Sequence, residues 1–171
     1  MKFSSFIGEA VILGKDKPYL SAIICIRFSI VAKWAEQNGY SFTNYTNLST
    51  LPEVYEKLSE EISRVNESLP EAQKIHKFLL LYKELDADDG ELTRTRKVRR
   101  GVIAEKYGDI ISAIYDDKDV VDIDTTVVFQ DGTKTRIQTQ LRVKSLLSNG
   151  LSDTQSSTGT VEQEIIERRA S

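Results

Sequence analysis

The sequence has few of the residues that build metal centres, disulfides or redox sites. Its 171 residues include one cysteine, Cys25, and one histidine, His76. A single cysteine excludes an internal disulfide and fits a reducing compartment. Cys25 lies in an apolar run, where a buried thiol is far commoner than a nucleophile. His76 has no cysteine or histidine near it in the chain, so we interpret it as a polar position on a half-exposed strand and predict no metal site.

Long apolar runs and an excess of positive charge are also missing. No segment reaches the ~20 apolar residues of a membrane-spanning helix, and the N-terminus lacks the basic and apolar regions of a signal peptide. The net charge of −3 gives no electrostatic reason to expect binding to nucleic acid. The sequence also lacks the glycine-rich loops, GxxxxGK[ST] or GxGxxG, that hold nucleotide phosphates. We therefore expect a soluble, cytoplasmic protein without a nucleotide site of its own.

The apolar spacing predicts an α+β fold, with a small mixed sheet packed against three amphipathic helices. Strands are expected where β-branched residues cluster and helices where apolar residues recur every three or four positions. The predicted strands are residues 9–14, 19–26 and 75–82, and the predicted helices are residues 29–37, 51–69 and 98–114. The second strand is almost entirely apolar, which is typical of a strand covered on both faces.

Local signals predict where these helices begin and end. Ser29 is the expected cap of the first helix, and Asn38-Gly39 its end. Thr50 and Glu53 have the spacing of a capping box for the second helix, which Pro70 should end. Residues 40–49 are polar and are predicted to form a loop.

The C-terminal third predicts a separate hairpin and a tail. Residues 121–129 and 137–143 alternate apolar and polar side chains, and Asp131-Gly132 between them is a strong turn signal. Residues 148–160 are rich in Ser, Thr and Gly and should be disordered, and residues 161–169 have a weak helical pattern. The expected organisation is a domain at 1–115, a β-hairpin extension at 116–147 and a flexible tail at 148–171.

The most informative segment reverses its charge within a few residues. Five carboxylates lie between Glu84 and Glu91, and five cations lie between Arg94 and Arg100. A calcium loop starting at Asp86 fails, because it places Gly90 at an oxygen-ligand position and Lys97 at the position of the bidentate glutamate. The segment should connect a strand to a helix and present a cation.

The partner of this cation is predicted to be an anion in a cleft. No aromatic residues interleave the basic run to stack on bases, so nucleic acid is a weak alternative. A phosphate or carboxylate needs only a few cations. Attack of a carboxylate on a nucleotide α-phosphate suits such a group, because a lysine offsets the repulsion between the two anions. A mobile lid that also excludes water would favour the same step.

Several segments resemble the C-terminal lid domain of AMP-forming long-chain fatty-acid–CoA ligases, in the adenylate-forming superfamily. The resemblance spans about residues 1–115. The matching segments are residues 3–7, 9–11, 18–22, 64–66 and 85–100. The most specific is GELTRTRKVRR, which is similar to the family pattern Gly-x-Leu-Thr-Pro-x-x-Lys-x-x-Arg. The resemblance implies that Lys97 is the catalytic lysine of adenylation. It also implies framework roles for four residues: Gly90, Leu92, Thr93 and Arg100.

The resemblance further implies ATP with Mg²⁺, a fatty acid and coenzyme A as ligands. ATP and Mg²⁺ would be held mainly by an N-terminal AMP-binding domain, which this sequence lacks, so the chain is expected to be inactive alone. Acyl-adenylate would form first, and the lid would then rotate for thioester formation. A lipid substrate would allow peripheral contact with membranes, without a transmembrane segment.

Two departures leave alternatives open. Arg94 replaces the family's proline, which puts the rigidity of the loop in doubt, and Arg96 and Arg99 are alternatives to Lys97 as the catalytic cation. A different class of function is a non-catalytic interaction module. It would bind a protein partner through the basic run and an exposed edge of the hairpin.

Overall fold

The computed structural model describes residues 4–128 and 132–146, and the predicted α+β class is confirmed. The strands are β1 (Ile7–Leu13), β2 (Leu20–Ile26), β3 (Ile75–Leu80), β4 (Val120–Val128) and β5 (Lys134–Ser145). The helices are α1 (Phe28–Gln37), α2 (Tyr45–Thr50), α3 (Pro52–Glu67), α4 (Arg100–Lys106) and α5 (Gly108–Tyr115), with a short 3₁₀ turn at Glu71–Gln73. Within the described ranges, no helix is long and apolar enough to cross a bilayer.

The strands form one mixed sheet in the order β1-β2-β3-β5-β4. The β2 and β3 strands are parallel, and the other neighbouring pairs are antiparallel. Every residue of β2 after Leu20 is buried, so the prediction of a strand covered on both faces is confirmed. The parallel pair needs a crossover connection, which α1, α2 and α3 supply.

Each face of the sheet carries its own hydrophobic core. Ile24 and Ile26 point to one face and pack under α1, α2 and α3. Ile23 and Cys25 alternate with them and point to the other face, under α4 and α5. Cys25 is the predicted buried thiol, and burial raises its pKa to about 12. His76 is half-buried in β3, as predicted.

Helix starts differ from the predictions. Helix α1 begins at Phe28 after Arg27, whose side chain makes no capping bond, so Ser29 lies inside the helix and does not cap it. Helix α3 begins with Pro52, which suits a first helical position because it has no N–H to leave unpaired. Thr50 belongs to the last turn of α2, where its hydroxyl donates to Asn47 O at 2.8 Å, so the capping box is not formed.

Two element predictions were also wrong. Residues 40–49 are not all loop, because Asn44 accepts a hydrogen bond from Asn47 N at 2.9 Å and thereby starts α2. The third predicted helix is two helices that break at Tyr107. Both helices face the same core, so the apolar spacing continues across the break. Val98, which was predicted to begin the third helix, lies before both helices and forms an antiparallel β-bridge with Leu92.

The C-terminal hairpin of β4 and β5 continues the main sheet. Lys77, Phe78 and Leu79 of β3 pair with residues 143–145 of β5. The hydroxyl of Tyr55 in α3 ties the two strands together, because it accepts from Leu80 N at 3.2 Å and donates to Arg142 O at 2.9 Å. The boundaries predicted near 115 and 147 stay predictions. Asp131 of the predicted turn and residues 148–171, with their predicted disorder and helix, lie outside the described residues.

Candidate functional site

Residues 91–99, here called the basic loop, form a small closed hairpin between the end of β3 and the start of α4. Leu92 and Val98 make an antiparallel bridge. Outside the bridge, Arg99 N donates to Glu91 O at 2.9 Å, and inside it, Thr93 N donates to Lys97 O at 2.8 Å. The loop therefore leaves and re-enters the protein at one point and projects its tip away from the core.

Thr93 closes the tip of the basic loop. Its Oγ1 accepts from Lys97 N at 3.0 Å and lies 3.0 Å from Thr95 Oγ1. Arg96 has the left-handed backbone angle φ 59° that the reversal requires, and its N donates to Thr93 O at 2.9 Å. These bonds constrain the loop without the proline that Arg94 replaces.

The cations of the segment differ in what they contact. Arg99 donates to Gly90 O at 3.5 Å, and Arg100 donates to Ile12 O of β1 at 3.2 Å. Lys97, Arg94 and Arg96 are exposed. No salt bridge of these three side chains occurs in the part of the chain that the structure describes. Their positive charge is thus available to an anion from outside the domain.

The acids of the same segment are not simply solvated. Glu91 is fully buried, at 0% exposure. Its Oε2 accepts from Lys83 Nζ at 2.7 Å and from Asp86 N at 2.9 Å. Its Oε1 accepts from Tyr107 Oη at 2.5 Å and pairs with Lys106 Nζ at 2.7 Å. Sequence patterns do not reveal this cluster, because the partners of Glu91 lie 5 to 16 residues away along the chain.

The charges within this cluster stabilise one another. Burial raises the pKa of Glu91, but hydrogen bonds from Lys106, Lys83 and Tyr107 outweigh burial and hold the pKa below its usual value. Burial lowers the pKa of Lys83, but its hydrogen bonds to Asp89 and Glu91 raise the pKa overall. Burial and the bond to Glu91 raise the pKa of Tyr107. At neutral pH the Glu91 carboxylate and the Lys83 ammonium group are therefore charged and the Tyr107 phenol is neutral.

Two cavities open beside the segment. The smaller, of about 310 Å³, lies between β1 and the basic loop and is lined by Gly8, Glu9, Arg27, Glu84 and Arg96 among others. The larger groove, of about 930 Å³, runs between the start of α1 and the hairpin of β4 and β5. Both contain Arg27 and Glu84, so they are neighbours on one side of the domain.

The described residues do not provide a magnesium site. No group of three or more His, Cys, Asp or Glu side chains converges in residues 4–128 and 132–146. Asp89 and Glu91, which have suitable oxygen atoms, are already paired with Lys83 and Lys106. The carboxylates of Asp89 and Glu91, which are already occupied by lysine ammonium groups, thus do not fit the role of metal ligands.

Comparison with known proteins identifies the domain. A family model described as the C-terminal domain of AMP-binding enzymes matches residues 1–119. The chain belongs to this family. The match contains the whole basic loop and ends one residue before β4 begins. The resemblance inferred from residues 85–100 is therefore confirmed at the level of the family.

Several relatives have names that describe ligases. The chain is 34% identical over 110 residues to the long-chain-fatty-acid–CoA ligase FadD15 of Mycobacterium tuberculosis, a match that covers 64% of this chain and 18% of the relative. It is 40% identical over 128 residues to the long-chain-fatty-acid–CoA ligase ACSBG2 of Gallus gallus, covering 65% and 17% respectively. The chain thus spans less than a fifth of the length of these relatives.

A solved structure also matches. It is the adenylation domain of a carboxylate reductase from Mycobacterium chelonae, with a TM-score of 0.48 and 18% identity. The match covers 66% of this chain and 16% of that one.

Three of the five predicted site residues lie in the basic loop, and the other two lie immediately before and after it. Leu92, Thr93 and Lys97 lie in the basic loop, and Gly90 directly precedes it with φ 72°, a left-handed angle that favours glycine. Arg100 begins α4 and contacts β1. The catalytic role of Lys97 and the framework roles of the other four residues stay predictions.

Proposed function

We propose that this chain is the C-terminal lid of an AMP-forming long-chain fatty-acid–CoA ligase and that Lys97 supplies a cation to the adenylation step. The observation that carries the proposal is the exposed Lys97, which makes no ion pair within the described residues and lies in a loop closed by Thr93. Membership of the family and the names of the relatives support the reaction class.

The reaction that this arrangement suits has two half-reactions. In the first, a carboxylate oxygen of the fatty acid attacks the α-phosphorus of ATP. A new P–O bond forms, the bond to pyrophosphate breaks, and acyl-adenylate results. In the second, the thiol of coenzyme A gives up its proton and attacks the acyl carbonyl, and AMP leaves.

Lys97 would act on the first half-reaction only. The approaching carboxylate and the phosphate are both anionic, and negative charge on the transferring group must be stabilised in the transition state. A preorganised ammonium group lowers that barrier and need not transfer a proton. Arg96, which makes no ion pair with any residue that the structure describes, offers a similar charge and is the nearest alternative.

The rest of the active site would come from elsewhere. The described residues form no magnesium site, and the sequence has no phosphate-binding loop, so ATP and Mg²⁺ would be bound by the AMP-binding domain. We expect the 171-residue chain to bind nucleotide weakly and to form no thioester alone.

The test uses the ligase in which this chain is joined to its AMP-binding domain. Lys97→Ala should slow adenylation, measured as fatty-acid-dependent exchange of pyrophosphate into ATP, by roughly 10²- to 10³-fold. Thioester formation from supplied acyl-adenylate should survive. Equal loss of both half-reactions would contradict the assignment of Lys97.

Matched variants separate Lys97 from the general charge of the loop. Arg94→Ala removes another exposed cation of the same loop, three residues before Lys97, and should change neither half-reaction. Arg96→Ala and Arg99→Ala test the two alternative cations. If either of them abolishes adenylation while Lys97→Ala does not, the catalytic cation is that arginine.

The alternative of an interaction module is favoured by one observation. Strand β4 is at the edge of the sheet, outside the family match, and exposes Val120 and Val128 at 42% and 50%. Such an edge can accept an extended peptide by strand addition. The half-reaction assay distinguishes the two functions, because a binding module would support no pyrophosphate exchange in any variant.

A further inference from the structure

A cluster of charged and polar side chains surrounds the buried carboxylate of Glu91 at the base of the basic loop. Its members are Lys83, Asp89, Glu91, Lys106 and Tyr107. They come from three places in the chain: the segment after β3 (Lys83), the turn that leads into the basic loop together with the first residue of that loop (Asp89 and Glu91), and the end of α4 (Lys106 and Tyr107). The cluster joins these three segments through one carboxylate, that of Glu91.

Glu91 is linked to both the interior and the loop. Its side chain makes the four interior contacts described above, two on each oxygen. Its carbonyl oxygen accepts from Arg99 N at 2.9 Å, and the next residue, Leu92, bridges to Val98. Glu91 is therefore the residue at which the base of the basic loop is fixed to the domain.

Hydrophobic side chains of similar size would fill this space without the cost of burying charge. A carboxylate with four donors differs from them because it accepts only one arrangement of its partners. Lys83 and Tyr107 donate to different oxygens of the carboxylate, so a displacement of the carboxylate lengthens its bond to one or both of them. The cluster thus fixes a position as well as filling a volume.

We propose that Glu91 is a positioning residue for adenylation: with Lys83, Lys106 and Tyr107 it holds the base of the basic loop so that Lys97 is presented in one place. This inference rests on the proposed function of Lys97. Glu91 itself lies in the interior and does not touch a substrate. Its effect reaches Lys97 through the paired backbones of residues 91–93 and 97–99.

The first test measures the loop in the 171-residue chain itself, by hydrogen exchange of backbone amides. Glu91→Gln keeps the shape, but its NH₂ group would face two donors in either orientation. The amides of Lys97 and Arg99 should exchange at least about tenfold faster, a change that corresponds to loss of one ordinary stabilising interaction. The increase should exceed any change at the core amides of β2 and β3, which report global unfolding.

Two further variants keep this test decisive. Asp88→Asn is the matched control, because it removes the same charge from an exposed side chain three residues away and should leave both amides unchanged. Lys106→Gln removes the ion pairs with Asp89 and Glu91 from the partly exposed side of the cluster and leaves Lys83 in place, so the domain should fold even if Glu91→Gln does not. It should accelerate the same two amides by a smaller factor. Unchanged exchange in both cluster variants would overturn the proposal.

The second test measures the half-reactions of the joined ligase. Displacing a catalytic group by about 1 Å costs up to roughly 10²-fold in rate. Glu91→Gln should therefore lower kcat for adenylation by about 10- to 100-fold. The KM for ATP and thioester formation from supplied acyl-adenylate should be unchanged. A role in stability alone would reduce both half-reactions equally, in proportion to the folded fraction. Glu91→Asp, which keeps the charge, should recover part of the adenylation rate.

The outcomes separate the two proposals. If Lys97→Ala leaves adenylation intact, the proposed function of Lys97 fails, whatever Glu91 does. If Lys97→Ala slows adenylation but Glu91→Gln and Lys106→Gln do not, only the positioning role is overturned.

Discussion

Two lysines on either side of the acidic turn show how one residue type takes two roles. Lys83 follows β3 with its side chain only 12% exposed, and it pairs with Asp89 at 2.8 Å and Glu91 at 2.7 Å. Lys97 lies at the tip of the basic loop, is exposed, and makes no ion pair with any described residue. The buried lysine is committed to the structure of the domain, whereas the exposed one is available to an outside anion.

The charge reversal in the sequence corresponds to two different parts of the structure. One is the group of acids, two of which pair with lysines, and the other is the basic loop with its exposed cations. Two of the acids at its N-terminal end, Asp89 and Glu91, pair with Lys83 and Lys106 and form no salt bridge with the described cations of the basic loop. The cations at its C-terminal end are then left without partners in the described part of the chain, apart from the backbone contacts of Arg99 and Arg100. The positive charge of Arg94, Arg96 and Lys97 is therefore not neutralised by Asp89 or Glu91.

Replacing Lys83 by methionine should destabilise the domain much more than replacing Lys97 by methionine. Lys83→Met leaves Glu91 buried with one ammonium partner fewer and should lower the free energy of unfolding by about 3 kcal/mol, the lower end of the range for breaking a buried pair, because Lys106 remains. Lys97→Met should change it by less than about 0.5 kcal/mol, as for other exposed positions. Urea denaturation of the 171-residue chain measures both.

The same two variants can also contradict the distinction between a structural Lys83 and an available Lys97. Similar losses from Lys83→Met and Lys97→Met would mean that the exposed lysine is structurally engaged. In that case its availability to an outside anion, on which the proposed function depends, would be in question.

The next effect is the dependence of stability on pH. The folded-state pKa of Glu91 lies below its ordinary value of 4.5, so its contribution is fully present above pH 4.5 and is lost as the pH falls from there through the folded pKa. The folded-state pKa of Lys83 lies above its ordinary value of 10.5, so its contribution is present below pH 10.5 and is lost at higher pH. Urea midpoints measured across pH should therefore decline at both ends.

Variants assign each end to a member of the cluster. Glu91→Gln should flatten part of the acid decline, and Asp88→Asn should not. Lys83→Met should flatten part of the alkaline decline. An acid limb that is identical in Glu91→Gln and the parent chain would show that other carboxylates cause it.

The sequence predicted the parts of the fold that depend on local spacing. The apolar run of β2, the stripe of α3 and the end of α1 at Asn38-Gly39 all express contacts within a few residues, and the structure confirms them. The break at Tyr107 was missed because α4 and α5 face the same core, so the apolar period carries no sign of it. Helix α2 was missed because its only strong signal is the cap at Asn44.

The candidate site was predictable only where it is a motif. The basic loop is continuous in sequence, so its cations and its threonines could be found by inspection. The burial of Glu91 could not be predicted, because nothing in a linear chain indicates that Lys83, Lys106 and Tyr107 converge on it. These contacts form only when the end of β3, the turn at residues 86–90 and α4 pack against one another in the folded domain.

An ion pair on the surface should contribute much less to stability than the pairs of Lys83. Asp124 and Arg136 face each other across β4 and β5, with Asp124 Oδ1 2.7 Å from Arg136 Nε and both side chains at least half exposed. Hydrogen bonds from Arg136 and Gln138 lower the pKa of Asp124 to about 2. Solvent and salt screen such a pair, so about 1 M NaCl should move this pKa, followed by NMR titration, back towards 3.8. Arg136→Gln should leave the urea midpoint unchanged within error, since exposed pairs contribute little. If Arg136→Gln lowered the free energy of unfolding as much as Lys83→Met, hydrogen-bond geometry would matter more than burial for ion pairs in this domain. The difference between Lys83 and Lys97 would then need another explanation.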